Sequence, residues 1–428
     1  MLATALLILI VLLAISIPVA AALGTLGLAL AQFYAALPLH RVVGEQAWTV
    51  STSFILVAVP LFIMLGEIMM RAGIAQRMYA AMIQWLSWLP GGLMHSNIGA
   101  SAMFSATSGS SVATAATIGT VAIGEIERFG YNERLFLGSL AAGGTLGILI
   151  PPSINLIVYG ALTDTSIPQL YLAGLLPGIC LSLIFMATIV LACLFRRSFG
   201  GRPVATSWRE RLTTAPDVFP PLVIFVVVIG SIYAGLATPT ESAALGVVGA
   251  LILAGARRQL SLPMLRDVLE GTIRTTAMVM AILLAAYFLN FVIISIGLTR
   301  YLSNAITDLG ATPAQTLLFV ILFYLVIGMF LETLSMMVAT VPVVTPIIVA
   351  LGYDPVWFGI LIVLLIETAM ITPPVGINLF VVQGVRGRGD IHDVMIGSAP
   401  FVISLFVMIG LLVLYPDIAL LLPRIAGG

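Results

Sequence analysis

Apolar runs of about twenty residues recur from one end of this chain to the other, and they leave few architectures open. Hydrocarbon offers no water to backbone N–H and C=O groups, so a spanning segment must be a helix or a strand of a closed barrel. Barrel strands alternate polar and apolar residues over about ten positions, and no such alternation is present. Only 8% of the 428 residues are charged and 61% are hydrophobic, where a soluble domain carries about a quarter charged. The chain reads as an all-α polytopic membrane protein. Its N-terminal run has no cation before Arg41, unlike a secretory signal, and is expected to stay as a membrane segment.

The 18 basic residues, all Arg, balance 18 acidic ones, which gives no footing for nucleic acid. Cys180 and Cys193 fall in one apolar run, and His40, His95 and His392 are scattered. Neither set has the spacing of a disulfide framework or a metal cluster.

Two stretches interrupt the apolar pattern alike: ILIPPSINLIV (148–158) and ITPPVGINLFVV (371–382). Their proline pairs, Pro151-Pro152 and Pro373-Pro374, lie 222 residues apart (373 − 151). The same offset relates Gly130-Tyr131 to Gly352-Tyr353, Leu23-Gly24 to Leu245-Gly246 and Gly27 to Gly249. Asn155 and Asn378 slip by one. Two structural repeats are expected, 1–200 and 217–428, joined by a linker at 201–216. The polar stretch around it, 196–217, holds five Arg and belongs in the cytoplasm by the positive-inside rule.

Counting outward from that linker gives five crossings per half. They are two short spans in 2–33, then 50–70, a broken span at 135–162, and 168–195. The second half gives 217–236, 240–256, 275–297, a broken span at 356–384, and 393–420. An odd number per half makes the repeats inverted, as in many transporters. Two further apolar stretches must then return to the side they entered. One is a re-entrant hairpin at about 90–124 with the tip SATSGSS (105–111); the other, at about 315–350, carries GMFLETLS at its tip.

Non-helical backbone at membrane depth persists only where protein or a wet cavity covers it. A proline pair frees carbonyls because proline has no N–H, and a hairpin tip adds hydroxyls and carbonyls. Oxygen ligands without strong donors suit Na⁺, and half-helix N-termini suit a carboxylate. Ser and Thr in membrane helices also serve plain packing. An acid at mid-membrane costs about 2.5–3.5 kcal/mol. Glu332 at the second tip is therefore the leading functional acid, followed by Glu367. Glu67 and Glu241 read as caps or structural pairs, and Asp164 as a loop residue. RFGYNER (128–134) reads as a charged cytoplasmic loop.

At SATSGSSVATAATIG, GTLGILIPPS, TPTESAA, GMFLE and ITPPVGINLF the sequence resembles the large membrane subunit of the tripartite ATP-independent periplasmic (TRAP) transporters, the DctM type. The resemblance covers essentially the whole chain. It implies an elevator-type secondary transporter in the bacterial inner membrane that imports an organic acid with Na⁺ and catalyses no reaction. It also implies two partners, a small four-helix membrane subunit and a periplasmic substrate-binding protein. Carried over by motif, one Na⁺ site would use Ser108, Gly109 and Ser110 with Gly143, Gly144 and Thr145. The other would use Gly328 and Glu332 with Thr368, Met370 and Thr372. Ser111, Pro151, Asn155, Pro373 and Asn378 would lie on the substrate side. The chain departs from dicarboxylate and sialic-acid members at the second tip, where Met329 and Thr333 replace their Asn and Pro. Two rival readings stand beside this one. One is a self-sufficient Na⁺/dicarboxylate symporter. The other is an intramembrane serine hydrolase, which would need an activating base.

Overall fold

The computed structural model describes residues 1–428 except Ser16, Pro203, Ala205, Thr299, 302–309 and 427–428. Parts of the expected linker and second repeat thus lie outside the described residues. All the described regular structure is helical. Six helices are long and apolar enough to cross a membrane by length and composition. Two bent pairs raise that number to eight among the described residues.

Helix ends follow from local chemistry. Asn132 caps Glu133–Leu149 through the Leu135 N–H (3.0 Å), and Asp354 caps Pro355–Met370 through the N–H groups of Val356 (2.7 Å) and Trp357 (3.1 Å). A side-chain oxygen at this position satisfies N–H groups that have no partner inside the helix. Thr238/Glu241 and Thr312/Gln315 form reciprocal boxes ahead of helices that begin with proline, Pro239–Ala256 and Pro313–Gly328. Glu241 is thus a cap, and Glu67 pairs with Arg71 at 2.9 Å.

Several boundaries differ from the sequence expectation. The span expected at 50–70 is found as Phe54–Arg71, its first turn 3₁₀, and a separate short helix, Val43–Ser51, precedes it. Of the span expected at 275–297, residues 275–295 belong to a 34-residue helix, Leu262–Ser295. Its first turns carry Arg266, Asp267, Glu270 and Arg274, which concealed it from a hydropathy reading. An amphipathic helix, Ile74–Leu86, precedes the first hairpin. Part of the linker is helical too: Trp208–Thr214 leads into Phe219–Tyr233 with a 42° bend.

Glu133–Leu149 and Pro355–Met370 lie at the centre. They are buried from Leu135 to Leu149 and from Val356 to Met370, with no solvent-side stripe, as a helix enclosed on every side must be. Glycine permits the approach that membrane helices need. Gly138 meets the Gly397 carbonyl of Ile391–Leu414, and a methyl on Gly174 would lie 2.6 Å from the Leu149 oxygen. The outer helices, such as Ile167–Phe195 and Phe219–Tyr233, instead expose Leu183, Leu194, Val226 and Val227.

Candidate ion and substrate site

Both proline pairs interrupt helices, the first pair buried and the second exposed. The first joins Glu133–Leu149 to Ile154–Thr163 with a 41° bend. The second separates Pro355–Met370 from Ile377–Arg386. Both Pro–Pro peptide bonds are cis.

The first hairpin folds as Leu93–Ser108 and Ser111–Ala122, with Gly109 and Ser110 between. Gly109 has a φ of +59°, a left-handed conformation that suits a residue without Cβ. Its tip rests on the first break. A methyl on Gly109 would stand 2.7 Å from the Pro152 carbonyl oxygen, and one on Gly147 would stand 2.7 Å from that of Ser110. From the other side, Gly66 of Ala58–Arg71 crosses Ser108, its virtual methyl 3.1 Å from the Ser108 Cα.

The hydroxyls at this junction are turned onto the backbone. Ser108 Oγ and Thr114 Oγ1 are 3.0 Å apart, and Thr114 donates to the Ser110 carbonyl at 2.8 Å. Ser110 Oγ accepts from Ala113 N–H at 3.4 Å, and Thr145 donates to the Ala142 carbonyl at 2.8 Å. A methyl on Gly143 would lie 2.8 Å from Ser101 Oγ, and one on Gly144 would lie 2.7 Å from the Ala115 Cβ. The structure thus packs Glu133–Leu149 against both arms of the hairpin, Gly143 on Ser101 and Gly144 on Ala115, while the residue that meets Ser110 at the tip is Gly147 and the Thr145 hydroxyl stays on its own helix.

Across the first break, Ser153 donates to the Ile148 carbonyl at 2.6 Å and accepts from Leu156 N–H at 3.4 Å. It braces the bend and caps the next half-helix. Pro151, Pro152 and Asn155 are buried, and no described protein group bonds the Asn155 amide nitrogen.

The second break is more open. Ile377–Arg386 begins at Gly376 (φ +35°) with no side-chain cap, and Pro373, Pro374 and Val375 are exposed. Beside it a cavity of about 10 Å³, room for one water-sized group, is lined by Gly328, Leu331, Thr333, Met370, Val375 and Gly376. Gly328 and Met370 therefore meet here. Glu332 caps Thr333–Ala350, its Oε2 accepting from Ser335 N–H (3.0 Å) and Ser335 Oγ (2.8 Å). Thr368 and Thr372 donate to the carbonyls of Leu364 (2.8 Å) and Thr368 (2.6 Å). Glu367 is fully buried, and no described protein group hydrogen-bonds either of its oxygens.

Asn378 ties the half-helix after the second break to the first hairpin and to the helix that precedes the first break. Its Nδ2 donates to Ser111 Oγ at 2.7 Å and to the Ala141 carbonyl at 3.1 Å. The second half-helix is thereby pinned to the first hairpin and the first broken helix. Thr114 and Gly147 escaped the sequence reading, as did the capping role of Ser153, a polar group beside the break. That role was detectable, because a serine directly after a proline pair and before an apolar run is a cap signal. RFGYNER is more than a charged loop, because Glu133 and Arg134 pair with Arg386 and Asp393.

Among the described residues, no three His, Cys, Asp or Glu side chains converge as a metal site. The donors at the breaks are backbone carbonyls and hydroxyls, which suit hard cations rather than transition metals. Glycine-lined tips seated on broken helices, inside a bundle with an apolar exterior, define a multi-pass membrane transporter. The profile of the family described as "Tripartite ATP-independent periplasmic transporter, DctM component" matches residues 6–418, and the chain belongs to this family. It is 34% identical over 388 residues to the C4-dicarboxylate TRAP transporter large permease protein DctM of Pseudomonas aeruginosa, covering 90% of each chain. It is 33% identical over 381 residues to the sialic acid TRAP transporter large permease protein SiaM of Vibrio cholerae, covering 88% of each. Among solved structures, the YdaH transporter of Alcanivorax borkumensis superposes with a TM-score of 0.64 over 89% of each chain at 15% identity, a likeness of fold.

Proposed function

We propose that this permease subunit couples Na⁺ entry to the import of an organic acid through the bacterial inner membrane. A periplasmic binding protein delivers the acid, and a small four-helix membrane subunit braces the permease. The two breaks with their hairpins form inverted repeats that move together as an elevator past the outer helices, in a chain of ten crossings. Na⁺ lies at the first tip among Ser108, Gly109, Ser110, Gly143, Gly144 and Thr145. A second Na⁺ lies by Gly328, Glu332, Thr368, Met370 and Thr372. The substrate carboxylate approaches Ser111, Pro151, Asn155, Pro373 and Asn378.

The observation that supports this reading is the seating of the glycine tip on the Pro152 carbonyl at the first break, which places helix-free backbone of the tip beside that of the break. The uncapped start of Ile377–Arg386 adds support, since free N–H groups and the positive end of a helix attract a carboxylate. Both relatives described above are named for carboxylic acids, and the family's description specifies three components and a periplasmic part.

The test is uptake into proteoliposomes holding the permease and its small subunit, with substrate-loaded binding protein outside. An inward Na⁺ gradient is expected to raise the initial rate at least tenfold over an equal K⁺ gradient. Equal rates would refute Na⁺ coupling. Full uptake without the binding protein would favour the self-sufficient symporter instead.

A further inference from the structure

The last residue of Ile377–Arg386 is an arginine whose side chain is only 4% exposed. Arg386 Nε donates to Glu133 Oε1 at 2.9 Å, Nη2 to Asp393 Oδ2 at 3.2 Å, and Nη1 to the Asp390 carbonyl at 3.1 Å. Arg134 reaches the same Asp393 at 2.9 Å, and Arg388 pairs with Glu127 and Glu133. The loop beyond Arg386 wraps the guanidinium. Gln383 donates to the carbonyls of Arg388 and Gly389, both at 3.0 Å, and a methyl on Gly389 would stand 2.5 Å from Arg386 Nη2. A planar fork fixed by two carboxylates and a carbonyl sets direction as well as charge.

The spacing of these contacts gives them a purpose. Asn378 precedes Arg386 by eight residues, and Ala141 follows Glu133 by eight. Each interval is about 12 Å of helix at 1.5 Å per residue. Arg386 meets Glu133 at one end, and Asn378 meets the Ala141 carbonyl at the other. The two antiparallel helices are thus joined by two rungs of matched separation. One rung is charged and lies at the polar end; the other is an amide donor that also holds Ser111 at the hairpin.

We propose that Arg386 is a positioning residue that sets the register of Ile377–Arg386 and so holds Asn378 against Ser111 and the first broken helix. This rests on the reading of that junction as the transport site. Arg386 touches neither ion nor substrate, and it acts only by fixing one end of the half-helix that carries Asn378. A mechanical substitute for the arginine should therefore work as well as the arginine itself.

The structure offers that substitute. A Cβ on Gly119 would lie 3.9 Å from the Val385 Cβ, within the roughly 3.5–4.5 Å that a disulfide requires. The experiment measures uptake by the full complex in proteoliposomes after Cys180 and Cys193 are replaced by serine. Arg386→Gln is expected to raise the half-saturating concentrations of substrate and Na⁺ roughly fivefold, with less change in maximal rate. Adding Gly119→Cys and Val385→Cys should restore both when oxidised and lose them again on reduction. Arg386→Lys, which keeps the charge and one donor, should show a smaller rise and serves if the Gln variant does not fold. Unchanged half-saturation in both variants would overturn the proposal. So would a disulfide that forms without restoring affinity, because Arg386 would then act through its charge. If wild-type uptake ignores Na⁺, the coupling reading fails, yet the substrate half-saturation still reports on Arg386.

Discussion

Gly109→Ala is expected to lower uptake at least tenfold while the protein still inserts and assembles. Two costs coincide at this residue. Its φ of +59° places it in the left-handed region, where a Cβ costs roughly 1–2 kcal/mol. The added methyl would also stand 2.7 Å from the Pro152 carbonyl oxygen, so the tip must lift off the break. Lifting it separates the tip from the Pro152 carbonyl, and the Na⁺ site proposed there would lose its geometry. Helix arms on either side keep their packing, so abundance in the membrane should hold. The check is initial uptake rate per assembled complex. A variant that transports at the wild-type rate would remove the first tip from the mechanism.

Glu367→Leu is expected to separate stability from activity. The carboxyl is fully buried, and no described protein group bonds its oxygens. A buried polar group without a partner costs roughly 1–3 kcal/mol. Leucine of similar length removes that cost, so the thermal midpoint of the purified protein should rise by a few degrees. Transport should fall severalfold, because a residue that destabilises its own helix beside the second break is expected to act in the working site. Thermal unfolding and uptake, measured on one preparation, decide the matter. A variant that is less stable and equally active would assign Glu367 to packing.

Much of this was legible in the sequence, for identifiable reasons. Apolar runs report membrane helices because the one other structure lipid permits, a closed barrel, needs alternating strands. The paired prolines report breaks because proline forbids continued helix hydrogen bonding. The glycine and serines of SATSGSS announced a tip, and Gly109 and Ser110 sit between the hairpin's arms. What stayed hidden was set by distance along the chain. Asn378 bonds Ser111 across 267 residues and Ala141 across 237, and no local pattern encodes those partners. Arg386 is one of 18 arginines and no local pattern marks it; its bond to Glu133 spans 253 residues. The openness of the second break beside the sealing of the first is likewise tertiary. Both carry a proline pair and an asparagine, but Ser153 caps one half-helix and Gly376 leaves the other uncapped.

The most direct test of the account is equilibrium binding of radioactive Na⁺ to the purified permease, in wild type and in Gly109→Ala. The account predicts saturable binding to the wild type, displaced by unlabelled Na⁺ and not by K⁺, with affinity at least tenfold weaker in the variant. Equal binding by the two proteins, or no saturable binding by the wild type, would contradict it.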